Sequence, residues 1–118
     1  MPLEQNLPEN YRLDLALLQE TAQRIIADFE SLGILIAFSG NEQTAYLELM
    51  DQLVPALQSL MSKDKQKLMR VLYKIDISEQ KLTATSSRFP HMSMAEIIAN
   101  LVIEREMQKA VTRRYFKR

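Results

Sequence analysis

Apolar positions recur at helical spacing along most of the chain. Tyr11, Leu15, Leu18, Ala22, Ile25, Ile26, Phe29 and Leu32 share one stripe, which predicts a first helix over about Tyr11 to Leu32. Leu13, Ala16 and Leu17 fall near its opposite side and leave spare apolar surface at one end. Gly33 stands where a left-handed residue ends a helix, letting Ile34 fold back toward Phe29. Tyr46, Leu49, Met50, Leu53, Val54, Leu57, Leu60 and Met61 form a second stripe, hence a helix over about Glu42 to Met61 capped by Ser39 or Asn41. Pro55 lies on the opposite, wet face, where water can satisfy the carbonyl of Asp51, so the stripe is expected to pass through a kink.

Ser62 is placed to cap a third helix, about Lys63 to Ile75. It would bury Leu68, Val71, Leu72 and Ile75 and turn Lys63, Lys67, Arg70 and Lys74 to water. Ser78 caps a short fourth helix, about Glu79 to Ser87, with Ile77 and Leu82 as its hydrophobic staple. Pro90, in the bend Arg88 to Met92, keeps the fourth helix from fusing with the last. Ser93 and Glu96 have capping-box spacing, so the last helix starts at Met94, with Met92 and Ile97 fixing the entry angle.

That last helix carries apolar residues on two sides. Met94, Ile97, Ile98, Leu101 and Val102 make one face, which continues as Arg105, Gln108, Lys109 and Thr112. Ala99, Ile103, Met107 and Ala110 lie roughly opposite. A helix on the outside of a monomer needs one stripe only, so two imply enclosure by its own bundle or by a second chain.

Residues 34–38, ILIAF, are uniformly apolar and have no period to read; a buried connection, a helical continuation and a lone strand all fit. With no partner strand elsewhere, a helix or buried turn is the favoured expectation. The chain reads as an all-α bundle of four to five helices with short connections and long first and last helices. It forms a single helical domain over 11–118 behind a loose leader, 1–10.

Composition removes several chemistries. There is no cysteine, hence no disulfide and no thiolate nucleophile or ligand. The start, MPLEQNLPEN, lacks a basic segment followed by an apolar run, and no stretch approaches a membrane span, which points to the cytoplasm. The only histidine, His91, has no second histidine to work with, and no Glu-x-x-His pair offers a metal site. Gly33 and Gly40 belong to no phosphate-loop pattern, and Ser39, Ser62, Ser78 and Ser93 stand where helices begin. Glu104 and Glu106 read as solvated charges or as partners of Gln108 and Lys109. No enzyme, cofactor or metal is expected.

Formal charge is zero overall but divided. Residues 1–60 hold nine acids and two bases, a net of −7; the remainder holds thirteen bases and six acids, a net of +7. Such polarity can steer one half of a chain onto the other, or two chains together.

The expectation that best fits the double-faced last helix, the spare leucines and the split charge is a protein-interaction module, a homodimer, associating through Leu13, Leu17, Ile103, Met107 and Ala110. An alternative is nucleic-acid binding. Leu72 to Thr83 has the rhythm of a helix-turn-helix with Asp76 where glycine often stands, which would bring Glu79, Gln80, Thr83 and Arg88 toward a groove, with the lysines of the third helix on phosphates and Lys81 as a further contact. The basic end RRYFKR could place Arg113, Arg114, Lys117 and Arg118 on phosphates.

Overall fold

The capping box opens the helix around which the others pack. In the computed structural model, which describes residues 15–116, the Ser93 hydroxyl accepts from the Glu96 amide at 3.1 Å and the Glu96 carboxylate accepts from the Ser93 amide at 2.9 Å. Two otherwise orphaned donors are satisfied reciprocally, so the helix begins at Met94 as its sequence requires. Ser93→Ala is expected to cost about 1 kcal/mol, read as a lower midpoint in urea at unchanged slope.

Five α-helices account for the described fold: α1 Leu15–Glu30, α2 Ala45–Lys63, α3 Lys65–Ile75, α4 Glu79–Arg88 and α5 Met94–Tyr115, with a short 3-10 turn, Glu42–Thr44, before α2. Among the described residues there is no strand paired into a sheet. The chain is an all-α bundle, as its periodicity predicts. Helix α5 packs chiefly on α1 and α2, and also on α4 and α3.

That central position resolves the two stripes. Ile97, Ile98, Leu101 and Val102 on one side and Ala99 and Ile103 on the other all enter the main core, with Ala22, Ile25 and Phe29 of α1, Leu49, Leu53 and Leu57 of α2, and Val71, Leu72 and Ile75 of α3. Asn100 is buried among them and is satisfied: its side chain donates to the Glu96 carbonyl at 2.9 Å and accepts from the Tyr46 hydroxyl, tying α5 to α2.

The ends of the elements follow local chemistry, with two departures. Gly33 takes φ +81°, and the Ile34 amide donates to the Phe29 carbonyl at 2.9 Å, closing α1 as expected. Helix α3 is capped by Asp64, whose carboxylate accepts from the Lys67 amide at 3.0 Å. Ser62 is not that cap; it lies within the last turn of α2 and donates to the Ser59 carbonyl. Asp64 competes as a strong cap one residue beyond Lys63, so α2 runs two residues further than its stripe suggests. Pro55 sits exposed inside α2, on the wet face.

Residues 34–38 are the second departure. They form neither a helix nor a turn but an extended segment in which burial alternates: Ile34 half-buried, Leu35 exposed, Ile36 buried, Ala37 exposed, Phe38 half-buried. Period two in burial means that one face of a strand-like segment packs on the core while the other meets water.

Candidate interaction surface

The residues expected to mediate association lie inside the chain. Leu17, Ile103, Met107 and Ala110 are 0%, 4%, 3% and 0% exposed, so they are core and offer no surface to a second copy. Leu13 lies outside the described residues. The reason is geometric: Leu17 packs with Ala110 and Val111 where the start of α1 meets the end of α5, while Ile103 enters the main core. A single chain encloses what its sequence left open to two.

Among the described residues the large apolar side chains that do face water lie at several other places, Leu47 of α2, 66% exposed, among them. Leu35 is 82% exposed on the extended segment and Tyr73 88% exposed on α3, with Met69 one turn before it half-exposed. A groove between the end of α1 and the outer side of α3 is lined by Leu32, Met69, Arg70, Tyr73 and Lys74. Met69 and Tyr73 are four apart and lie about 110° and 150° from the centre of the Leu68, Val71, Leu72 and Ile75 stripe, a displacement visible in the sequence. Leu35 could not have been found that way, since its neighbours on both sides are equally apolar.

The extended segment also has an uneven hydrogen-bonding record. The Ala37 amide donates to Gln52 Oε1 at 3.4 Å and the Ser39 amide to Glu48 Oε1 at 2.9 Å, both on α2. In extended backbone successive amides point to opposite edges, so the edge carrying Ala37 and Ser39 is covered by α2 side chains. On the other edge the Ile34 amide closes α1, while the amides of Ile36 and Phe38 have no acceptor among the described residues. Glu48 further accepts from the hydroxyls of Ser39 and Thr44. The Thr44 bond, then those from the amide and hydroxyl of Ser39, hold its carboxyl below the usual carboxylate range and keep it charged.

The candidates for nucleic acid are scattered. Lys81 and Arg88 are exposed on α4, and the Arg88 guanidinium stands 5.2 Å from the centre of the Phe89 ring. Asp76 does adopt the left-handed turn at φ 72°, with Ile77 buried and Ser78 capping α4 through the Lys81 amide. Arg113 and Arg114, however, both bond the Glu20 carboxylate, at 3.1 and 3.3 Å. They join α5 to α1, using the opposite charges of the two halves within one chain. Tyr115 and Phe116 are about half-exposed or more, so the terminal aromatics do not fold fully onto the bundle. Lys117 and Arg118 lie outside the described residues.

Of the two readings that Glu104 and Glu106 allow, solvated charges or partners of Gln108 and Lys109, the first does not hold: Glu104 is 5% exposed and Glu106 1%. Lys109 stands 3.6 Å from Glu106, the pairing its spacing suggests, and also donates to the Ile75 carbonyl at the end of α3. Burial first, then hydrogen bonding and repulsion from Asp28 of α1, push the Glu106 carboxyl up to about 7 against the pull of Lys109. Arg105 binds Asp76 at 2.9 Å, tying α5 to the turn between α3 and α4.

Among the described residues no three acidic or histidine side chains gather into a set able to hold a metal ion, and no helix is long and apolar enough to cross a membrane. No family model matches the chain, and neither a curated protein nor a solved structure matches it.

Proposed function

We propose that the protein is a non-enzymatic helical interaction module of the cytoplasm that works by binding protein, in the first place a second copy of itself. The observation that carries this reading is the apolar surface left in water at Leu35, Met69 and Tyr73 while both stripes of α5 are covered from within. A monomer gains nothing from keeping such side chains exposed, Met69 and Tyr73 on an apolar groove, and association that removes them from water is favourable at roughly 25 cal/mol per Å². The non-enzymatic part is supported by the residues themselves: no cysteine, and one histidine, His91, exposed in the bend between α4 and α5.

Nucleic-acid binding has less behind it. Two of the four basic residues of the C-terminal run are held by Glu20, and α4 carries an acid, Glu79, beside its two bases Lys81 and Arg88. Multi-angle light scattering over a concentration series tests the homodimer: the mass should rise toward twice the chain mass of 13.7 kDa as concentration increases. A monomer mass throughout would remove it.

A further inference from the structure

Where a second copy would dock can be argued from the backbone of residues 34–38, taking as its premise that the chain binds itself. A strand edge with unused donors and acceptors is a template for another strand, and the amides of Ile36 and Phe38 have no acceptor among the described residues. We propose that two copies join edge to edge through Ile34 to Phe38 as an antiparallel two-stranded ribbon, with the two-fold axis passing between their Ile36 residues.

The register follows from which amides are free. Pairing Ile36 with its own copy lets each Ile36 amide donate to the other's Ile36 carbonyl, and each Phe38 amide donate to the other's Ile34 carbonyl. The Ile34 amide is left to its bond with Phe29, and those of Ala37 and Ser39 to Gln52 and Glu48. No existing bond is broken. On the solvent face the same register sets Leu35 of one copy opposite Ala37 of the other, removing from water the most exposed leucine of the described chain.

Charge selects the antiparallel arrangement. The Gly33 end of the segment lies beside a cation, since a Cβ built on Gly33 would be 3.8 Å from Lys67 Nζ. At the Ser39 end stands the ionised Glu48. Antiparallel pairing puts Gly33 of one copy opposite Ser39 of the other and so brings unlike charges to each end of the ribbon; a parallel pair would stack like on like. The closed two-fold uses both edges at once and leaves none to propagate. The ribbon would also sit next to the groove at Leu32, extending the covered surface toward Met69 and Tyr73.

Two variants of exposed positions test it by sedimentation equilibrium. Leu35→Lys with Ala37→Lys places lysine against lysine across the ribbon and should weaken dimerisation by roughly tenfold or more, with the helical circular dichroism unchanged. Leu35→Glu with Ala37→Lys makes each cross-strand pair unlike in charge and should restore dimerisation toward the wild-type constant. A wild-type dimer that tolerates the two lysines, or that is lost equally in both variants, overturns the ribbon while leaving self-association through another surface in place. A wild-type chain that is monomeric at every concentration overturns both.

Discussion

Met107→Glu is expected to abolish the fold, read as loss of helical circular dichroism at 25 °C. Met107 is 3% exposed on α5, in the half of the helix away from the cap. The substitution removes a buried thioether, worth about 2 kcal/mol or more of transfer free energy, and leaves a carboxylate with no cation designed for it. An uncompensated buried charge costs several kcal/mol further, against a total stability of about 5–15 kcal/mol for a domain of this kind. The outcome separates two meanings of an apolar stripe: had Met107 faced a second chain, the same change would dissociate a dimer and leave a folded monomer. An unchanged helical spectrum would place Met107 at a surface.

The second large effect is a pH dependence centred on Glu106. Its carboxyl titrates at about 7 in the folded chain against an ordinary value of 4.5. A raised acid holds its proton better folded than unfolded, so its contribution to stability is complete below pH 4.5 and is lost as pH rises toward 7. The difference amounts to about 3 kcal/mol, which in a domain of this size corresponds to on the order of 10 °C in melting temperature between pH 5 and pH 8. Asp28, which disfavours the charge, and Lys109, which favours it, both face the group, so the loss is partial and no collapse is expected. Glu106→Gln keeps the shape and removes the proton. Its melting temperature should vary much less over the same range and should exceed that of the wild type at pH 8. Equal slopes for the two proteins would show that Glu106 does not carry the dependence.

Much of the fold is written locally. The reciprocal bonds of Ser93 and Glu96, the turn through left-handed Gly33 and the Ser78 cap on the Lys81 amide each join residues only a few positions apart, so their chemistry is complete before any tertiary contact forms. The faces of α2 and α3 were equally legible, because a period of 3.6 is unmistakable where polar residues separate the apolar ones. What failed lacked either locality or period. Residues 34–38 have no polar position to mark a face, and their extended form is imposed by Gln52 and Glu48 reaching back from α2. Glu104 and Glu106 resemble solvent charges in any helix; only the packing of α1 against α5 takes Glu106 out of water and sets Asp28 beside it.

The interaction surface was hardest to read, for a related reason. Two stripes on α5 state how much apolar surface must be covered but not how many chains do the covering. Leu17 of the same chain meets Ala110, and the demand is met at home. Surface free to bind then lies at positions whose exposure is a residue of the fold, Leu35 by strand alternation and Tyr73 by its angle from the core stripe of α3.

The enclosure of α5 by its own chain is the claim from which the rest descends, and amide hydrogen exchange on a diluted, monomeric sample tests it most directly. Ile97 to Val111 should exchange slowly and at the same rate in dilute and concentrated solution, because their protection comes from α1, α2 and α3. If protection around Ile103, Met107 and Ala110 disappears on dilution, a second chain has been supplying it and the account is wrong.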